Sequence, residues 1–307
     1  MIIVIFLKMA DLFREHPRNE KQLFQALKGR VITGLFVEKS LRTKMLVFSA
    51  ASKLGASFMH ENLQENSYWG IKQESILNTY SAYSHFSDLL VVRHSDLNLM
   101  TLESVVKVPI INAMCGQNEH SLSAIGRMYS ILRHVSYQPK IRIGIYGNIR
   151  MSRPLKSLVK LLDLHGITVY NDPVIMPFKR DELSASLGIS PSSLVYCSIE
   201  DFLETTDALF VAEGLPQEGT DKLYHERYVR SFVPVSLKTL SKMKSNSFVS
   251  VGMPSVLESG KETFTFDAEL RIRNDKRMIM EDWFFVTQAL FCYLLNEEDA
   301  LFNLLAF

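Results

Sequence analysis

The densest run of chemistry-bearing residues in this chain is Phe36-Val37-Glu38-Lys39-Ser40-Leu41-Arg42-Thr43-Lys44. It follows the apolar stretch Val31–Phe36 and precedes Met45, Leu46, Phe48, Ala51 and Leu54 at helical spacing, with Gly55 as the stop. A strand that enters a helix at Ser40 brings together an N-cap hydroxyl, unpaired backbone N–H groups and the positive end of the helix dipole. Such a point attracts an anion. Arg42 adds a planar fork able to hold phosphate oxygens at two points, and Thr43 adds a hydroxyl. The spacing alone describes equally well a capped surface helix with incidental basic residues. Further along, Arg93-His94 closes the apolar run Leu89–Val92, and His120 opens a helix carrying Leu122, Ile125, Met128, Tyr129 and Leu132 on one face. Taken singly, His120 suits a helix-entry or core histidine, Arg93 a rim residue, and Lys72 a solvated loop charge.

The elements that must position these residues alternate along the chain. Val31–Phe36, Leu89–Val92, Val108–Ile111, Ile141–Tyr146, Ile167–Tyr170, Ala208–Val211 and Phe248–Val251 read as buried strands, with helical periodicity between them. This alternation predicts an α/β fold of two domains, each a mainly parallel sheet flanked by helices. Gln138-Pro139 breaks the chain, so the boundary falls between residues 1–136 and 137–307. A last helix over Asp282–Leu295 is apolar nearly all round, which predicts that it is buried and packs back across the domains onto the first. The opening Ile2–Phe6 reads as a strand or a buried arm.

Composition narrows the class. With 307 residues, 47% apolar and 22% charged, the chain has enough material for two ordinary cores. A formal net charge of +1, with basic residues scattered, argues against nucleic acid as the main partner. Cys115, Cys197 and Cys292 are far apart and lack metal-ligand spacing, so they read as reduced thiols of a cytoplasmic protein. The apolar opening lacks the basic lead and cleavage site of a signal peptide, and no stretch reaches the roughly 18 unbroken apolar residues of a membrane span. Gly144-x-x-Gly147 after a strand lacks the Gly-x-Gly-x-x-Gly spacing of a dinucleotide-binding oxidoreductase.

Five segments in order resemble the aspartate and ornithine carbamoyltransferases, closer to the aspartate carbamoyltransferase catalytic subunit. Phe-x-Glu-x-Ser40-x-Arg42-Thr43-Lys44 is similar to that family's carbamoyl-phosphate motif, Ser-Thr-Arg-Thr-Arg, with Leu41 and Lys44 as departures. Ser67-Tyr-Trp-Gly-Ile-Lys72 resembles the mobile loop that reaches a neighbouring subunit's site, the serine match requiring a one-residue insertion. Arg93-His94 resembles the family's Arg-His, Asn112 to His120 its approach to the catalytic histidine, and Gly147 to Ser157 the turn carrying a substrate-binding arginine, here Arg153. The resemblance covers roughly residues 29 to 258 and is much stronger in the first half.

The resemblance implies attack of a neutral amine on the carbonyl carbon of carbamoyl phosphate, with phosphate leaving. It assigns Arg42, Thr43 and His120 to the oxygen that gains charge in the transition state. Ser40, Leu41 (through its backbone), Arg42, Thr43, Ser67, Lys72 and Arg93 would bind carbamoyl phosphate. Arg153, Glu213, Gln217 and Met253 would face the acceptor. No metal and no organic cofactor is implied, no membrane is expected, and a homotrimer with shared sites is. Departures set the open questions. The family's His-Pro-x-Gln reads His120-Ser121-Leu122-Ser123, which removes the glutamine that orients the carbamoyl nitrogen. Glu213 stands where aspartate carbamoyltransferases place an arginine, and Val251-Gly-Met253-Pro254 stands for His-Pro-Leu-Pro. The reversed sign predicts an amine or hydroxyl acceptor other than aspartate. The alternatives are aspartate carbamoyltransferase itself, and a non-catalytic carbamoyl-phosphate-binding relative that acts through a partner.

Overall fold

The computed structural model describes residues 2–15, 26–63, 74–116, 119–135, 141–175, 179–212, 222–251 and 263–295. Two compact units divide the chain, residues 1–126 with 281–307, and residues 127–280.

In the first unit, α1 (Ile2–Glu15) precedes β1 (Val31–Phe36), α2 (Arg42–Lys53), β2 (Ser57–Asn62), α3 (Ile76–His85), β3 (Leu89–Arg93) and β4 (Ile110–Asn112). The sheet order is β2-β1-β3-β4 and every pairing is parallel. Leu89 to Val92 are all buried, the near-continuous apolar pattern of a strand covered on both faces. Beneath α3 lies a core of Leu35, Tyr80, Leu90, Val92, Leu97 and Leu102. The ladder of β4 begins at Ile110 because Pro109 lacks an N–H; its carbonyl still accepts from Leu90 N at 3.0 Å.

Residues 2–6, read from the sequence as a strand or arm, form the first turns of helix α1. The correction has a clear cause. A short apolar run fits either period, and length decides. Here the pattern continues through Leu7, Met9, Ala10 and Phe13, all buried, and ends where Arg14 pairs with the buried Asp282 and stacks over Phe285.

Helix α4 (Ser121–His134) carries the chain into the second unit. There follow β5 (Ile143–Tyr146), α5 (Arg153–Leu164), β6 (Val169–Asp172), α6 (Arg180–Leu187), β7 (Leu194–Tyr196), β8 (Ala208–Val211), α7 (Lys222–Ser231) and β9 (Phe248–Val251). This sheet is also parallel, in the order β7-β6-β5-β8-β9. Its core gathers Phe202, Leu209, Tyr228, Phe232 and Phe264. Helix α8 (Arg273–Leu294) returns to the first unit from Glu281 onward. Among the described residues no helix is long and apolar enough to cross a membrane.

Each sheet has one point where chain order reverses, between β1 and β3 in the first and between β5 and β8 in the second. In open parallel sheets, ligands bind at the carboxyl ends of the strands beside such a point.

Candidate functional site

Residues from two parts of the sequence meet at the β1/β3 switch point. Phe36 pairs with Arg93 in the sheet register, and Val37 N donates to Arg93 O at 2.8 Å. The segment leading to Ser40 therefore leaves β1 directly beside the end of β3. Glu38 reaches across: its Oε2 lies 3.8 Å from Arg93 Nε, and its Oε1 accepts from Ser95 N at 2.6 Å and from the Ser95 hydroxyl. Behind Arg93, His94 is buried and its Nδ1 sits 3.1 Å from Tyr80 Oη. Burial pushes the His94 pKa down, against the upward pull of Glu38 and Asp96.

Helix α2 starts later than its sequence suggests. Arg42 is the first helical residue, and Leu41 occupies the cap with helical angles (φ −88°, ψ −61°) and no side-chain cap bond. Ser40 is therefore not the N-cap, since capping needs an extended residue at that position and Leu41 has already turned. Thr43 is buried, Arg42 and Ser40 are half-buried, and Leu41 is 75% exposed. The side chain of Leu41 makes no cap bond to the first turn of α2.

The carboxyl end of β4 lies next to that of β3. Asn112 Oδ1 accepts from Met114 N at 2.9 Å and from Cys115 N at 2.8 Å, which holds Met114 at φ +100°. His120 is buried, and its carbonyl accepts from Ser123 N and Ala124 N, each at 3.1 Å, so it opens α4. Trp283 of α8 packs on this helix entry. Its ring lies edge-on to His120 at 6.1 Å, and its Nε1 donates to Leu122 O at 3.0 Å. Gly126 makes room: a Cβ there would meet Trp283 Cδ1 at 2.6 Å. Nothing local in the sequence announces this contact, because Trp283 and Leu122 are 161 residues apart. Ser123, in the place of the expected glutamine, is buried.

In the second unit Arg153 is the first residue of α5, half-buried, just beyond the turn that ends β5. One helical turn on, Lys156 is 6% exposed, and burial together with Arg150, Arg153 and Lys160 pushes its pKa down to about 8. Lys156 stood inside the Gly147–Ser157 turn but carried no marker of burial in the sequence. Ser67, Lys72, Glu213, Gln217 and Met253 lie outside the described residues. Among the described residues, no group of three or more His, Cys, Asp or Glu could hold a metal ion.

The structure thus brings Glu38 and Arg93 together at the carboxyl ends of β1 and β3, with Ser40, Arg42 and Thr43 in the segment that leaves β1, Asn112 at the end of the neighbouring β4, and His120 at the entry to α4. Residues 3–133 match the family described as Aspartate/ornithine carbamoyltransferase, carbamoyl-P binding domain. The chain is 27% identical over 263 residues to the aspartate carbamoyltransferase catalytic subunit of Archaeoglobus fulgidus, covering 82% of this chain and 83% of the relative. It is 26% identical over 262 residues to that of Pyrobaculum islandicum, with 82% and 83% covered. Among solved structures, the catalytic subunit of M. Jannaschii aspartate transcarbamoylase superimposes with a TM-score of 0.77 at 21% identity, covering 97% of this chain and 95% of that one. Ornithine carbamoyltransferase from Thermus thermophilus gives 0.76 at 18% identity, with 95% and 94% covered. Residues 3–133 thus match the carbamoyl-P binding domain, the chain is similar over about four-fifths of its length to aspartate carbamoyltransferase catalytic subunits, and its fold is that of the solved carbamoyltransferases.

Proposed function

We propose that this chain transfers the carbamoyl group of carbamoyl phosphate to the amino group of aspartate. The observation that carries the first half of this reading is the meeting of Glu38, which leads into Ser40–Thr43, with Arg93 at the β1/β3 switch point. The acceptor rests on the relatives, named aspartate carbamoyltransferase catalytic subunits and similar over about four-fifths of both chains. That support outweighs the expectation of a different acceptor, which rested on the sign of one residue, Glu213.

On this reading the start of α2 and the guanidinium groups of Arg42 and Arg93 hold the phosphate, with Ser40, the Leu41 N–H, Ser67 and Lys72 as further donors. Arg42, Thr43 and His120 face the carbonyl oxygen, where negative charge grows as the amine attacks. Donors fixed in place before the reaction stabilise that charge without reorganising, commonly by a few kcal/mol each. Arg153, Glu213, Gln217 and Met253 border the acceptor. Ser123, shorter than glutamine, leaves the carbamoyl nitrogen one orienting contact short, which predicts a modest kcat and not a lost activity. Apolar side chains exposed on α2, namely Leu41, Met45 and Phe48, support the homotrimer as a surface for a second copy.

Calorimetric titration of carbamoyl phosphate, followed by an assay of phosphate release with aspartate, tests the reading. Saturable binding lost in Arg42→Ala, with aspartate-dependent phosphate release, is the expected outcome. Binding without release for aspartate, but with release for another amine, would restore the acceptor suggested by Glu213. Absence of binding by the folded protein would overturn the reading altogether.

A further inference from the structure

At the end of β5 the chain makes a turn that suits only glycine. Gly147 has φ +118°, and a Cβ there would lie 2.7 Å from the Tyr228 hydroxyl and 2.8 Å from the Ala212 carbonyl oxygen. Tyr228 comes from α7 and is completely buried. Its hydroxyl accepts from Asn148 N at 3.3 Å and donates to Ala212 O at 3.2 Å. One oxygen thus spans the ends of β5 and β8, the two strands that flank the switch point of the second sheet. Beside it, Asn148 Nδ2 donates to the Tyr224 hydroxyl, and Asn148 Oδ1 accepts from Arg150 N at 2.9 Å. From β6, Asn171 Nδ2 donates to Ile145 O and Gly147 O, each at 2.9 Å. The turn that hands the chain to Arg153 is held by side-chain hydrogen bonds from Gly147 to Arg150, and Met151 N and Ser152 N close it on Asn148 O and Ile149 O, each at 3.1 Å.

The sheet does not require this arrangement. β5 and β8 already pair from Ile143 with Ala208 to Tyr146 with Val211, and Ala212 N donates to Tyr146 O at 2.8 Å. An apolar face on α7 would fill the same space without burying polar groups. A buried network in which hydroxyl and amide are matched in this way holds one geometry and disfavours its neighbours. Its location, at the carboxyl ends of the two strands beside the reversal of chain order, is where such a sheet holds a ligand.

The geometry points to Tyr228 as a positioning residue for the acceptor. Its hydroxyl sets the spacing between the Gly147–Ser152 turn and the end of β8, and so presents Arg153 in one orientation to an anionic acceptor. Tyr228 itself touches no reacting atom. The assignment rests on the acceptor reading above and adds to it the device that orients Arg153.

Tyr146 supplies the control. Its hydroxyl, also buried and also bonded twice to backbone, donates to Val233 O and accepts from Val233 N, each at 3.1 Å, away from the Gly147 turn. Tyr228→Phe and Tyr146→Phe each remove one such hydroxyl. The expected result is a KM for aspartate raised roughly tenfold in Tyr228→Phe, with kcat and the carbamoyl phosphate Kd nearly unchanged, and a KM within about twofold of the parent in Tyr146→Phe. An unchanged KM in Tyr228→Phe, or the same rise in both variants, overturns the assignment. Succinate, which carries the two carboxylates of aspartate and no amine, is titrated alongside. If the parent protein neither turns over aspartate nor binds succinate, the acceptor reading fails. Amide exchange over residues 147–152 then decides: exchange faster in Tyr228→Phe than in Tyr146→Phe keeps the tie, and equal exchange removes it.

Discussion

At the scale of single residues, chemistry was legible where the side chain announces it and illegible where the surroundings decide. Ser40, Arg42, Thr43 and Arg93 stood out only through the resemblance of their segments to a family motif, since their spacing alone suits a capped surface helix and a rim arginine equally well. The capping role of Ser40 was misjudged, because the backbone angles of Leu41 and not the serine's propensity set the helix start. Lys156 is the opposite case, since an ordinary lysine in the sequence is almost inaccessible in the fold. Its pKa falls from the usual lysine range to about 8, by burial first and by Arg150, Arg153 and Lys160 next. The unfolded chain therefore binds more protons than the folded one between about pH 8 and pH 10.5, and stability rises with pH across that window. Below about pH 8 both states carry the proton and the full penalty remains. Tyr146 and Tyr196, both pushed up to about 12 by burial, oppose this trend only above pH 10. Denaturant melts of the parent and Lys156→Met between pH 8 and pH 10 separate the two. The parent should gain on the order of 1–2 kcal/mol relative to the variant, after allowance for solvent screening. Parallel pH profiles would show that Lys156 keeps its usual affinity for protons.

At the scale of elements, the parallel strands were readable as apolar runs, and β1, β3, β5, β8 and β9 lie close to where the sequence suggests. The edge strand β2 was not, because Ser57-Phe-Met-His-Glu-Asn62 alternates weakly and is half exposed. Helix α1 failed for a different reason: its first residues suit a strand, and its docking depends on Asp282, 268 residues away. The Arg14–Asp282 pair ties α1 to α8, the helix that also sets Trp283 against His120. Asp282 is fully buried, so removing the Arg14 guanidinium takes an ion-pair partner from a carboxylate that is shut off from water. Arg14→Ala is expected to cost about 3–5 kcal/mol in urea unfolding, whereas the double change Arg14→Met with Asp282→Leu should recover most of that loss. If the double variant is as weak as the single one, packing of the arginine stem over Phe285 contributes more than its charge.

At the scale of the whole molecule, the two-sheet plan was legible in the alternation of strand and helix, and each sheet offers a switch point where a ligand belongs. What the alternation did not reveal is which surfaces stay open. The inner face of α2 buries Thr43, Leu46, Val47, Ala50 and Ala51, while Leu41, Met45 and Phe48 follow one another along its outer face at 75%, 55% and 48% exposure. Phe48 meets Phe58 of the edge strand β2 edge-on at 5.8 Å, and Met59 on that strand is also exposed. An apolar stripe beside the terminal strand of the sheet is an unfavourable surface for a monomer in water and a favourable one against a second copy. The stripe begins at Leu41, between Ser40 and Arg42, so on the proposed reading assembly and the phosphate pocket share one helix. Phe48→Glu places a charge in the middle of the stripe. Sedimentation should show association weakened by at least tenfold, with far-UV circular dichroism unchanged because the residue contributes nothing to the inner face. Carbamoyl-phosphate binding should weaken in the same variant, since Lys72, by resemblance, reaches the site of a neighbouring subunit. Unchanged association in Phe48→Glu would place the subunit contact elsewhere on the chain.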